Sequence, residues 1–273
     1  GVVACGGDSY DVLVALGTRG ILDGRVVFRH GDQRLECAGF STTVLKDALE
    51  QPGALTELVS VEERPADHGR RIVHRFEGWA GAFDLVIDVW LEASALRVAF
   101  AVEGAPEPKP WQVVHIEDAA AGPWTAGIER VYAGPGNVIA APEAFRLYFD
   151  GHQCATSFAG FEFDNGMRLV QGLDAPPSFL EVTPASRHFS FHTPDAQTMS
   201  FIPCPTVWEG AKAWHDVNGL GAAGGVARAA GRFVFDLWGG HYASSADALE
   251  RAFRYGLTDS MVVWHNWQRW GYD

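Results

Sequence analysis

Between Asp11 and Pro205 the chain alternates apolar and polar residues with a period of two, in one short stretch after another. Within residues 84–92, Leu85, Ile87, Val89 and Leu91 fall on one face, and Leu96, Val98, Phe100 and Val102 do the same in the next stretch. Successive side chains of a strand point to opposite faces, so this pattern predicts half-buried strands. Ala93-Ser94-Ala95 between the two is short enough for a hairpin. Asp164-Asn165-Gly166 separates Phe161-Glu162-Phe163 from Met167-Arg168-Leu169, and an Asn-Gly centre supplies the positive φ angles a tight hairpin needs. Similar runs cover 24–31, 55–62, 70–78, 112–117, 128–133, 179–183, 187–193 and 198–203. About a dozen closely spaced strands predict a mainly β fold, a large antiparallel sandwich rather than an α/β domain.

The texture changes after Pro205. Residues 207–216 read as a short helix, 218–225 as a glycine-rich loop and 232–238 as a strand. Ser244 is the expected N-cap of a second helix, with Asp247 as capping-box partner. Leu249, Ala252 and Phe253 form its apolar stripe, and Gly256 is its stop. Met261-Val262-Val263-Trp264 is continuously apolar, as expected of a strand buried on both faces. Strand, helix and strand make a βαβ unit. The expected organisation is a sandwich over 1–205, a connection with a short helix and glycine-rich loop over 206–231, and the opening of a parallel α/β domain over 232–273.

Charge narrows the partners. Against 21 Lys and Arg stand 34 Asp and Glu, a net charge of -13. Such a surface repels phosphate backbones and anionic membranes, so neither nucleic acid nor membrane is expected as a partner. No apolar run approaches the roughly 18 residues that span a bilayer. Cys5, Cys37, Cys154 and Cys204 lie far apart with no C-x-x-C pair, which predicts no zinc site and leaves two readings, buried free thiols or two disulfides of unassigned pairing. Gly219-Leu220-Gly221-Ala222-Ala223-Gly224 matches a dinucleotide fingerprint, but a helix-like segment precedes it where a strand is required. It reads as a connecting loop, and no cofactor or metal is expected. His188 and His192 share a strand face opposite Phe189 and Phe191, with no third ligand evident.

The densest cluster of chemistry runs from Trp264 to Asp273 and follows the last predicted strand. In parallel α/β folds the C-terminal ends of strands carry the site. Aromatic faces cover the apolar side of a pyranose, while amides, guanidinium and carboxylate bond its hydroxyls. The candidate substrate-binding residues are His265, Asn266, Gln268, Trp270, Tyr272 and Asp273, with a carbohydrate as the expected partner.

The run Asp236-Leu237-Trp238-Gly239-Gly240, the helix leading to Tyr255-Gly256-Leu257-Thr258-Asp259-Ser260, and the terminal Trp264–Asp273 segment together resemble the entry into the catalytic barrel of α-N-acetylgalactosaminidases of glycoside hydrolase families 101 and 129. The resemblance implies a β-supersandwich of the galactose mutarotase type, followed by the first βαβ unit of an incomplete (β/α)8 barrel. It also implies that the remainder of the catalytic domain is a partner. The family's Gln-x-x-Gly-x-Asp pattern falls on Gln268, Gly271 and Asp273, so Asp273 takes the role of binding the innermost N-acetylgalactosamine. Tyr272 departs from the His often found there in family 101. The catalytic carboxylates of the resembled enzymes come from later barrel strands, so this chain holds no catalytic residue and is expected not to hydrolyse by itself. Two other readings rest on the sandwich. One is a carbohydrate-binding module using Trp79, Trp111 or Trp124. The other is a mutarotase-like epimerase pairing a glutamate with a histidine such as His74 or His115.

Overall fold

A computed structural model describes residues 2–6, 10–38, 40–46, 56–78, 81–104, 114–133, 137–140, 143–149, 156–192, 198–220, 230–238 and 240–265. The chain divides into two compact units, Gly1–Leu220 and Gly221–Asp273. The described strands of the first are β1 (Val2–Gly6), β2 (Asp11–Gly17), β3 (Gly20–His30), β4 (Gln33–Cys37), β5 (Phe40–Lys46) and β6 (Thr56–Pro65). β7 (Arg70–Gly78), β8 (Gly81–Glu92), β9 (Ala95–Glu103), β10 (Val114–Ala121), β11 (Ile128–Ala133) and β12 (Asn137–Ala140) follow. The last are β13 (Phe145–Tyr148), β14 (Phe158–Phe163), β15 (Arg168–Leu173), β16 (Phe179–Thr183), β17 (His188–His192) and β18 (Thr198–Pro203), before helix α1 (Val207–Val217).

These strands form three sheets, ordered β1-β2-β3-β4, β13-β16-β17-β10-β5 and β12-β11-β14-β15-β18-β9-β8-β7-β6. Every pairing within them is antiparallel. All three contribute to one core: Val14 and Phe28 from the first, Leu180 and Phe191 from the second, Ile87 and Phe201 from the third. The predicted apolar face of β8 and β9 is buried at Leu85, Ile87, Val89, Leu96, Val98 and Phe100, and Val86, Ala95 and Arg97 on the other face are buried as well.

Both predicted hairpins are present. Glu92 pairs with Ala95 across a two-residue turn in which Ala93 takes a left-handed φ of 52°. In the β14–β15 turn Gly166 has φ 82°, and Asn165 Oδ1 accepts from the Met167 amide at 3.1 Å. Asn165 Nδ2 also donates to the Arg34 carbonyl at 2.8 Å, which ties the turn to the four-stranded sheet.

Alternation gives way in β15 and β18, where residues are buried on both faces. The cause is α1, which lies on the outer face of the nine-stranded sheet. Val207, Gly210 and Trp214 form its buried stripe. Gly160 lies beneath Val207 and Gly172 beneath the Trp214 indole, each so close that a methyl group at the glycine would collide. On the helix, a methyl group on Gly210 would meet Cys204 Sγ and Val170 Cγ2 at 2.6 Å. Thr206 caps the N-terminus of α1: its Oγ1 accepts from the Glu209 amide at 3.2 Å and donates to Glu209 Oε2 at 3.0 Å. At the other end Arg97 donates to the Val217 carbonyl and to Asn218 Oδ1.

His74 joins two sheets from inside the protein. Its Nε2 lies 3.0 Å from the carbonyl oxygen of Arg19 and its Nδ1 3.3 Å from that of Leu85. Burial outweighs these two acceptors and holds the ring below its ordinary histidine pKa. A depressed histidine pKa makes the folded state bind fewer protons than the unfolded chain. The contribution is therefore whole above about pH 6.5 and is lost as pH falls below that value toward the folded pKa. The urea midpoint should drop between pH 8 and pH 5, and by less in His74→Gln. Equal drops in the two proteins would show that His74 is not the group responsible.

The second unit contains β19 (Phe233–Trp238), α2 (Tyr242–Arg254) and β20 (Ser260–His265), with β19 and β20 paired in parallel. The predicted strand-helix-strand order is thus present. Two local expectations need correction. The helix starts at Tyr242 with His241 as N-cap and no side-chain cap bond, so Ser244 lies inside its first turn. Val262 is 44% exposed and Val263 38%, so the last strand is not buried on both faces. Among the described residues this sheet has two strands and one helix, too little material to cover both of its faces. No described helix is long and apolar enough to cross a membrane.

Candidate functional site

The parallel register places Trp238 beside His265 and Leu237 beside Trp264 at the C-terminal ends of β19 and β20. Side chains alternate along each strand. Phe235 meets Phe253 of α2 at 6.3 Å, which marks the helix side, and Trp264 lies 4.5 Å from Tyr242 on that side. Val234, Asp236 and Trp238 occupy the other face with Met261 and Val263. Trp238, 71% exposed, donates from Nε1 to Asp236 Oδ2 at 2.9 Å. An exposed indole and a carboxylate thus stand together at the strand ends. The backbone of His265 belongs to β20, while Asn266, Gln268, Trp270, Tyr272 and Asp273 lie outside the described residues.

The first unit brings together groups that the sequence left scattered. On the outer face of the five-stranded sheet, Glu181 Oε2 lies 3.4 Å from His192 Nε2. Phe179 stacks on His192 at 3.9 Å, and the Arg146 guanidinium sits 4.3 Å from the Phe179 ring centre. Phe189 and Phe191 point the other way into the core, as the alternation predicted. A histidine and a glutamate are the pair an epimerase would use. Here Arg146 bonds the carboxylate at 2.8 Å and, as the largest cause, holds Glu181 below the usual carboxylate pKa, which suits an ion pair better than a proton shuttle. His74 is fully buried and cannot meet a substrate, and the side chain of His115 lies outside the described set.

Of the aromatic residues read as exposed sugar contacts, Trp124 is corrected by the structure. It is 2% exposed and sits at the centre of the core. Trp79 and Trp111 lie outside the described residues. Among the described residues of the first unit, the exposed indole is instead Trp208 on α1. The sequence held a signal for it: Val207, Gly210, Trp214 and Val217 form the helical stripe, and Trp208 falls off that stripe.

A cavity of about 440 Å³ lies between α1 and the end of β18, lined among others by Tyr10, Ile202, Cys204, Glu209, Lys212 and Asp216. Burial pushes the Cys204 thiol up to about 12, so it stays protonated and is a poor nucleophile. Cys37 is buried as well. Among the described residues no three His, Cys, Asp or Glu side chains gather as metal ligands.

No protein-family model matches the chain, and no curated protein sequence does. Among solved structures it is similar to the ligand-free α-N-acetylgalactosaminidase NagBb from Bifidobacterium bifidum, with a TM-score of 0.61 and 10% sequence identity. The likeness covers 99% of this chain and 53% of that one, so the chain spans about half the length of the enzyme whose fold it shares.

Proposed function

We propose that the chain is the front part of a glycoside hydrolase acting on α-linked N-acetylgalactosamine or galactose-type glycans. The observation that carries this reading is the order of architecture. Antiparallel sheets around one core are followed by a parallel β19–α2–β20 unit, in a chain similar over 99% of its length to an α-N-acetylgalactosaminidase. On this reading the sheets form a galactose mutarotase-like supersandwich that buttresses a (β/α)8 barrel, and β19–α2–β20 is the opening of that barrel. The face of β19 and β20 turned away from α2 becomes barrel interior, with Asp236 and Trp238 near the catalytic end. His265, Asn266, Gln268, Trp270, Tyr272 and Asp273 contact the glycan, and Asp273 holds the innermost N-acetylgalactosamine. The partners are the glycan and the rest of the catalytic domain.

Retaining hydrolysis needs two carboxyl groups about 5–5.5 Å apart. They are assigned to later barrel strands, beyond the 273 residues. The test is to read the frame past the codon for Asp273, express the complete product and assay it on an aryl α-N-acetylgalactosaminide beside the 273-residue chain. Turnover by the complete product and none by the shorter chain is the expected result. A stop codon directly after Asp273, or a longer product that leaves the glycoside intact, would overturn the reading.

A further inference from the structure

Trp208 is 73% exposed although it sits in the first turn of a helix whose other face is firmly packed. Beside it stands Tyr132, its ring centre 6.5 Å away and its plane turned by 70°. The sheet register explains the meeting. Tyr132 on β11 pairs with Gly160 on β14, and Val207 occupies the space over Gly160. The next residue of the helix is therefore delivered to the Tyr132 ring. Two aromatic planes near a right angle make a floor and a wall.

The polar groups beside this corner are also in register. Arg130, Glu162 and Arg168 are direct cross-strand neighbours on β11, β14 and β15, two residues from the row of Tyr132 and on the same face. Arg130 Nη1 donates to Glu162 Oε2 at 2.7 Å, and Arg168 Nε donates to Glu162 Oε1 at 3.0 Å. Arg130 Nη1 also reaches the Tyr132 hydroxyl at 3.5 Å, and Arg168 Nη1 donates to the Pro205 carbonyl just before α1. Glu162, bonded to both, partly offsets the two arginine charges.

From this arrangement we infer that the Trp208–Tyr132 corner is a binding subsite for one neutral pyranose ring, separate from the β19–β20 edge. The chemistry selects that ligand. A pyranose has an apolar C–H face that fits an aromatic ring, and hydroxyl groups that both donate and accept. Beside the aromatic corner lies a row in which one carboxylate bonds both arginines, so guanidinium donors and a carboxylate acceptor stand together as a polyol requires. A protein interface would place Trp208 in an apolar patch poor in charge. Here the Tyr132 ring is bordered by the charged row Arg130, Glu162 and Arg168. The inference uses no residue beyond Pro205-Thr206 and α1 on the helix side, so it does not depend on the hydrolase reading.

The 273-residue chain, titrated with methyl α-N-acetylgalactosaminide, methyl β-galactoside and methyl α-glucoside and followed by saturation-transfer NMR, tests it. At least one glycoside should bind saturably in the millimolar range, because one stacked ring and a few hydrogen bonds barely exceed the ordering they cost. Trp208→Ala should weaken that binding by about tenfold or more, and Trp208→Phe by less, with melting temperatures unchanged because the indole is exposed. If none of the three glycosides binds saturably, or if Trp208→Ala binds as well as the parent, the subsite does not exist. Trp238→Ala is titrated in parallel. A loss there with none in Trp208→Ala would overturn this subsite and move the sugar to the β19 edge.

Discussion

Trp124→Ala should lower the free energy of unfolding of the first unit by about 3–5 kcal/mol, the range for truncating a large aromatic residue in a packed core. The indole touches all three sheets. Its ring centre lies 6.3 Å from Phe28 of the four-stranded sheet and 5.4 Å from Phe189 of the five-stranded sheet. Phe163 and Phe201 of the nine-stranded sheet are 5.7 and 6.5 Å away. The backbone around it is equally tied: the Trp124 amide donates to the Arg187 carbonyl at 3.0 Å and the Thr125 amide to the Glu36 carbonyl at 2.8 Å. Removing the ring leaves a cavity that three layers would have to close together, which a sheet can do only by shifting as a whole. Trp124→Phe should cost less than the alanine variant. It keeps an aromatic ring among the others and deletes a buried Nε1–H that has no partner. Chemical denaturation of the parent and both variants decides it. A loss below about 1 kcal/mol for the alanine variant would mean the sheets are held together elsewhere.

The second large effect is on catalysis. In the complete enzyme proposed above, Asp273→Ala should lower kcat/KM for an N-acetylgalactosaminide by roughly 10- to 150-fold, from the about 1.5–3 kcal/mol of a hydrogen bond to a charged group. Asp273→Asn, which keeps the shape and one acceptor, should fall between the parent and alanine. If the bond is equally strong in substrate and transition state, the loss appears in KM; if it strengthens as the ring flattens, it appears in kcat. An unchanged kcat/KM would remove Asp273 from the sugar site. The same substitution leaves the Trp208 corner untouched, so the two sugar assignments stand or fall separately.

Local periodicity carried much of the fold. The residue ranges 70–78, 128–133, 179–183 and 198–203 coincide with β7, β11, β16 and β18, because each has a face that must be buried. Short strands such as β4, β12 and β13 were not legible. They are short and bury few side chains, so alternation leaves little mark on them, and β13 pairs with β16, which is not its neighbour in sequence. Trp124 was misread because it follows Gly122-Pro123 in an aperiodic connection, where no repeat marks which way a side chain points. Ser244 lies three residues after the actual N-cap, His241, whose side chain makes no cap bond, so the true helix start carries no capping signal in the sequence. The corner at Trp208 needed three distant segments to be brought together, and the Glu181–His192 contact needed a strand register. Neither leaves a trace in local spacing beyond the break in the stripe of α1.

The close approach of α1 to the sheet also bears on how this chain can be recognised. Gly160, Gly172 and Gly210 face atoms that leave no room for a methyl group. A single-base change in a glycine codon always adds at least one heavy atom if it changes the residue, so each of these sites admits almost no neutral drift while the helix keeps its place. At 10% identity, overall similarity says little about ancestry. A trio of glycines, two on adjacent strands and one on the helix that crosses them, is a fingerprint that should outlast it.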